Sequence, residues 1–232
     1  MPANPLDADP TPDTEPTEPA PFSAELRQAT WSDHGDAEQH GFVQALLEGA
    51  LPRAAYAAML AQHYFVYAAL EEVGDALAAD PVAGRIHFPA LRRVPALHRD
   101  LTALYGPDWR DRIAPTAPTR AYTARVEAAA ADPARYVAHH YTRYMGDLSG
   151  GRFFRKAAER AYGIDAGSGT AFFDFPGLGS LPRFKEGYRR RLDGMDLDAA
   201  ARRRVVAETR LAYRLNADVL ADLGRAHARR AA

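Results

Sequence analysis

Three short stretches carry side chains at spacings that could do chemistry. In WSDHGDAE, residues 31–38, His34 and Glu38 stand four apart, so on a helix they share one face. Three readings of that pair stay open. Glu38 orients the imidazole through one ring nitrogen while the other binds a metal; both residues ligate a metal together with other acids or histidines; or the histidine is merely half-buried and hydrogen-bonded. Leu26, Thr30, His34 and Ala37 fall on roughly one stripe, which turns His34 inward.

The second stretch, YMGDLSGGRFF at 144–154, places Gly146, Gly150 and Gly151 inside a segment that otherwise reads as helix. Each glycine there costs about 1 kcal/mol relative to alanine, in a chain that uses alanine freely. Small residues let a neighbouring helix pack closely, or let a flat ligand lie on bare main chain; glycine runs also permit a kink. Asp147 adjoins Gly146, and Arg143 lies one turn before it on the same face. Such a polar pair in an apolar helix must be hydrogen-bonded, directly or through water. It serves as structural glue or as a device for proton delivery. In RFKEGYRRR, residues 183–191, Lys185 and Arg189 again sit four apart. They form a solvated basic face or a grip for the carboxylates of an anionic ligand.

These residues need elements to hold them. Residues 1–22 are rich in Pro, Thr and acid and have little to bury, so they read as a disordered tail. From Ser23 the apolar spacing is helical, with no period-2 strand pattern. Ser23 is expected to cap a first helix running to about His40; Pro52 opens a long helix; 88–106 makes another, interrupted by Pro95; the glycine-bearing helix runs from near Pro133 to near Gly163. A loop with aromatic plugs precedes helices at 182–195 and 197–226. The expected domains are the tail 1–22, an all-helical single domain at 23–225, and a C-terminal tail at 226–232.

Composition narrows the function classes. The 232-residue chain has no cysteine, which excludes disulfides, thiolate catalysis and cysteine-ligated metals. No apolar run approaches the roughly 20 residues that span a bilayer, and no secretory leader is legible, so a cytoplasmic protein without a membrane role is expected. The formal charge of -1 includes five acids in residues 1–22, so the remainder carries about +4. That excess suits an acidic partner or an anionic ligand better than nucleic acid.

Taken together, LRQATWSDHGDAEQHGFVQALLEG, HYFVYAALEEVGDAL, AHHYTRYMGDLSGGRFFRKAAERAYG and GTAFFDFPGLGSLPRFKEGYRRRLD resemble, in order over about residues 24–222, the all-helical haem oxygenases. The resemblance implies a multi-helix fold with haem between a proximal helix and a kinked glycine-rich distal helix. It implies that the chain cleaves haem at a meso carbon, the α one, to biliverdin, CO and ferrous iron, using O2 and electrons from a ferredoxin or flavin reductase. A non-catalytic haem carrier or sensor is the alternative. His34 would be the iron ligand and Glu38 would contact its far nitrogen. Gly146 and Gly150 would lie on the distal face, with Gly151 completing the kink. Asp147 would hold distal water, helped by Arg143 and Tyr64. Arg27, Lys185 and Arg189 would pair with the propionates beside Tyr141, and Tyr213 would line the pocket. Arg27 stands where the family often has lysine, and Gly35 directly follows the ligand position. His40 is the histidine most easily mistaken for the ligand, while His63, His139 and His140 are expected to be ordinary packing or surface residues. A monomer is expected.

Overall fold

Prolines mark where helices begin, because the first turn of a helix has no intrahelical acceptors for its N–H groups and a fixed φ suits it. Pro21 and Pro52 immediately precede helices, and Pro95, Pro118, Pro133 and Pro182 lie in first turns. Pro95 therefore starts a helix rather than interrupting one. The structure, a computed structural model, describes residues 20–31, 41–164 and 168–231, with side chains to 227. Its helices are α1 (Phe22–Ala29), α2 (Gly41–Leu47), α3 (Arg53–Ala76), α4 (Val94–Tyr105), the single turn α5 (Trp109–Arg112), α6 (Ala117–Ala128), α7 (Pro133–His140), α8 (Gly146–Tyr162), α9 (Leu181–Asp193) and α10 (Ala199–Ala231). Short 3-10 turns join several of them, and no strand occurs among the described residues. The last helix continues into the segment 226–232.

Ser23 does not cap α1. The helix starts one residue earlier, after Pro21, and Ser23 uses its N–H (2.7 Å) and hydroxyl (3.1 Å) to donate to the Asp193 carboxylate at the end of α9. That contact ties the first helix to the one bearing Lys185 and Arg189.

The long helix α3 is central and packs on α4 and α6, while α10 runs across α6 and α7 and reaches α2. Along α3, Tyr56, Leu60, His63, Tyr67, Leu70 and Gly74 recur at alternating steps of four and three, which is one face of a helix. Leu60, Tyr67 and Leu70 are completely buried on it, each leucine side chain contributing roughly 1.5–3 kcal/mol. At Gly74 a Cβ would stand 2.3 Å from the Tyr136 hydroxyl, so only glycine allows α3 and α7 to come this close. Between α6, α7 and α10, the buried Glu208 accepts from Arg125 Nε at 2.6 Å and pairs with His139 Nε2 at 3.0 Å.

Two buried charges fix the aromatic loop after α8. The Asp100 carboxylate on α4 accepts the N–H groups of Gly169 (3.1 Å), Ala171 (2.8 Å) and Phe172 (2.7 Å). The Arg93 guanidinium donates to the carbonyls of Phe172 and Asp174 and lies 3.8 Å from the Phe175 ring centre. Replacing Asp100 with alanine strands three donors in the interior. We expect a loss of about 2 kcal/mol, read as a fall in Tm of about 4–8 °C in thermal circular dichroism.

Candidate functional site

The path from α7 to α8 is a π-helical turn, Tyr141–Met145, an arrangement that inserts a residue and often marks a working site. The break in regular α-helix thus lies ahead of the glycines. Past it, α8 presents Gly146 and Gly150 to a cleft of about 410 Å³. A Cβ placed on Gly146 would meet nothing within 4 Å, and one on Gly150 only the Phe154 ring edge at 4.0 Å. Helix-to-helix packing therefore does not explain either glycine; their bare main chain faces open space. Gly151 differs. It also lines the cleft, but its Cβ would touch the Phe173 carbonyl oxygen at 3.5 Å, an ordinary packing contact.

Asp147 stands beside this wall, and the Tyr67 hydroxyl donates to its Oδ2. Burial pushes the Tyr67 hydroxyl far above its usual range, so it keeps the proton it donates. Burial likewise raises Asp147, opposed by the Arg143 charge and the Tyr67 hydrogen bond. Arg143 is buried, donates to Asn216 Oδ1 on α10, and lies 5.0 Å from the Tyr67 ring centre. Its influence on Asp147 is through charge, with the direct hydrogen bond supplied by Tyr67.

Tyr64 is not part of this group. Its ring packs edge-on to Trp109 at 4.9 Å and beside His98 at 5.5 Å, on a different side of α3. Choosing between two tyrosines three residues apart requires knowing which side of α3 meets α8. The stripe that runs from Tyr56 to Gly74 contains Tyr67 and excludes Tyr64, and that periodicity was the available signal. His63 lies on the same stripe; it packs on Phe172, as an ordinary packing residue would, and also lines the cleft. His139 and His140 are buried packing residues, the latter with Nδ1 2.9 Å from the Tyr188 hydroxyl.

The rest of the cleft is largely apolar, with Val43 and Leu47 from α2, Met59 from α3, Phe172 from the pinned loop and Leu220 from α10. Tyr213 lines it from α10, as does Asn216, for which the sequence offered no signal. A second, shallower hollow is lined by Arg27, Trp31 and Arg189. Tyr141 lies close to it: burial raises its hydroxyl, and the charges of Arg189 and Arg27 oppose the rise. Arg27, Tyr141 and Arg189 are thus brought together, with Lys185 one turn before Arg189 on α9. His34, Gly35, Glu38 and His40 lie outside the described residues.

A family model described as heme oxygenase matches residues 20–222 of this chain. The chain belongs to the haem oxygenase family. Among curated relatives, it is 36% identical to heme oxygenase from Rhodella violacea, over 87% of this chain and 86% of that one. It is 36% identical to human heme oxygenase 1, over 92% of this chain and 74% of the human one. Among solved structures, heme oxygenase-1 of the cyanobacterium Synechocystis in complex with heme superposes with a TM-score of 0.85 at 36% identity, covering 88% of this chain and 92% of that one. Membership of the haem oxygenase family agrees with the all-helical architecture. No helix among the described residues is long and apolar enough to cross a membrane.

Proposed function

We propose that this haem oxygenase binds haem between His34 and the main chain of Gly146 and Gly150, and opens the ring at the α-meso carbon. The observation that carries the reading is the pair of glycines whose missing side chains would have filled only the cleft. A flat, apolar macrocycle fits that wall, and the cleft's lining of Val43, Leu47, Met59 and Leu220 suits its hydrocarbon surface. Bound haem is at once substrate and redox centre; with O2 and external electrons it is converted to biliverdin, CO and ferrous iron.

The chain's own residues then have separable tasks. His34 supplies a neutral imidazole to the iron, and Glu38 fixes that ring from its other nitrogen. On the opposite wall Tyr67 occupies Asp147 Oδ2, which leaves Oδ1 to hold water and pass protons from it. Arg143 favours the ionised form of that carboxylate, and Asn216 holds Arg143 in place. Gly151 keeps the aromatic turn at Phe173 close behind the wall. Arg27, Lys185 and Arg189, with Tyr141, hold the propionates at the edge and so select which meso carbon faces the reacting side. Tyr213 closes the cleft from α10. The electron donor is an acidic ferredoxin or flavin reductase that docks on the mildly basic body. The protein works as a cytoplasmic monomer.

His34→Ala is the direct test of the ligand. The variant loses the histidine-ligated haem spectrum, and added imidazole restores it; an unchanged spectrum removes His34 from the scheme. Reductant and air on the wild-type complex should bleach the Soret band and yield a green pigment, whereas a carrier would merely hold the haem.

A further inference from the structure

His63 stands in the cleft wall and has no part in the scheme above. Its ring stacks on Phe172 at 5.3 Å and meets Tyr67 edge-on at 6.4 Å, one helical turn along α3. Its Nδ1 is sealed from solvent and has no hydrogen-bond partner. Burial, and then the charge of Arg143, hold its pKa well below the ordinary value, so the ring is neutral.

A neutral imidazole has one N–H and one lone pair. Orphaned N–H groups in protein interiors are rarer than under-satisfied acceptors, so the sealed Nδ1 is the lone pair and the proton sits on Nε2. Nε2 is not among the atoms that are both sealed and without a partner, and the His63 side chain lines the cleft. A donor in a mostly apolar wall is costly until it finds an acceptor. The cleft, at about 410 Å³, has ample room for water. A polar anchor lies within reach, since Tyr67, the next turn of the same stripe, ends on Asp147.

We propose that His63 donates a hydrogen bond from Nε2 to a water at the back of the cleft, forming a second polar station that, with Asp147, orders the water beside bound haem. The last clause rests on the haem reading; the tautomer and the water do not. His63 acts through that water and is a positioning residue.

Two measurements test it separately. In the haem-free wild-type protein, nitrogen-15 spectra of the imidazole should show a proton on Nε2 and none on Nδ1 at neutral pH, persisting down to about pH 5, beyond the ordinary titration of histidine. A proton on Nδ1, or a doubly protonated ring at pH 6, overturns the proposal. In reduced, haem-loaded protein, the C–O stretching frequency of bound CO reports the polarity around it. His63→Leu should move that band to higher frequency, and His63→Gln, which keeps a donor, should leave it near the wild-type position. Identical bands in all three overturn the ordering role. If the wild type takes up no haem, the functional reading has failed, and the nitrogen spectra still decide the state of His63.

Discussion

Gly150→Leu should abolish tight haem binding while making the haem-free protein more stable. The two effects point in opposite directions because they arise on different sides of the same backbone. A leucine on α8 gains helix propensity, close to 1 kcal/mol over glycine, and its Cβ meets nothing closer than the Phe154 ring edge at 4.0 Å. The same side chain would fill the space that the proposed function gives to the macrocycle. Overpacking of that kind costs about 1–3 kcal/mol even where neighbours can shift, and main chain cannot, so affinity should fall about a hundredfold or more. Haem titration gives the loss, and thermal denaturation of the haem-free chain should give a rise of about 2–4 °C. Unchanged affinity would mean that the glycine wall is not where haem lies. Gly151→Ala is the control: its Cβ makes only an ordinary contact at Phe173, so haem affinity should change little.

The second large effect is expected at Asp147. Asp147→Ala removes the acceptor of the Tyr67 hydroxyl and a carboxylate that lines the cleft. Haem should still bind, because the glycine wall and the proximal side are untouched. Biliverdin production should drop about a hundredfold, the lower end of what a positioned proton-transfer group contributes. Haem that is consumed should go to products other than biliverdin. The check is the biliverdin yield per haem destroyed under reductant and air, alongside the haem affinity. Full yield would show that water is ordered without this carboxylate. Tyr67→Phe should give a weaker version of the same defect, since Asp147 would remain but lose the hydroxyl that aims it.

The sequence revealed the helices and the glycine wall because both are encoded locally. Pro52, Pro133 and Gly163 mark helix ends through backbone constraints that act within a few residues; Gly163 sits in the left-handed region at φ 60° and ends α8. Gly146 and Gly150 were conspicuous because they break a strong local preference. Assigning partners across helices was harder. Tyr64 and Tyr67 are alike in type and nearly so in position, and only the packing of α3 against α8 separates them. Arg143 pairs with Asp147 in the sequence pattern, yet its hydrogen bond goes to Asn216, more than seventy residues later in the chain. Ser23 has the type of a cap, but the fold brings Asp193 close and Ser23 acts as a donor to it, through its own N–H and hydroxyl. Nothing local announces such long-range choices.

The π-helical turn at Tyr141–Met145 joins two halves that answer to different masters. Upstream, α7 turns Val137 and His139 into the scaffold, where Glu208 of α10 holds the His139 ring. Downstream, α8 turns Gly146 and Gly150 toward the empty side. One added residue in the coil resets the angular phase, so a nearly continuous rod can be bolted to the frame at one end and lean on a guest molecule at the other.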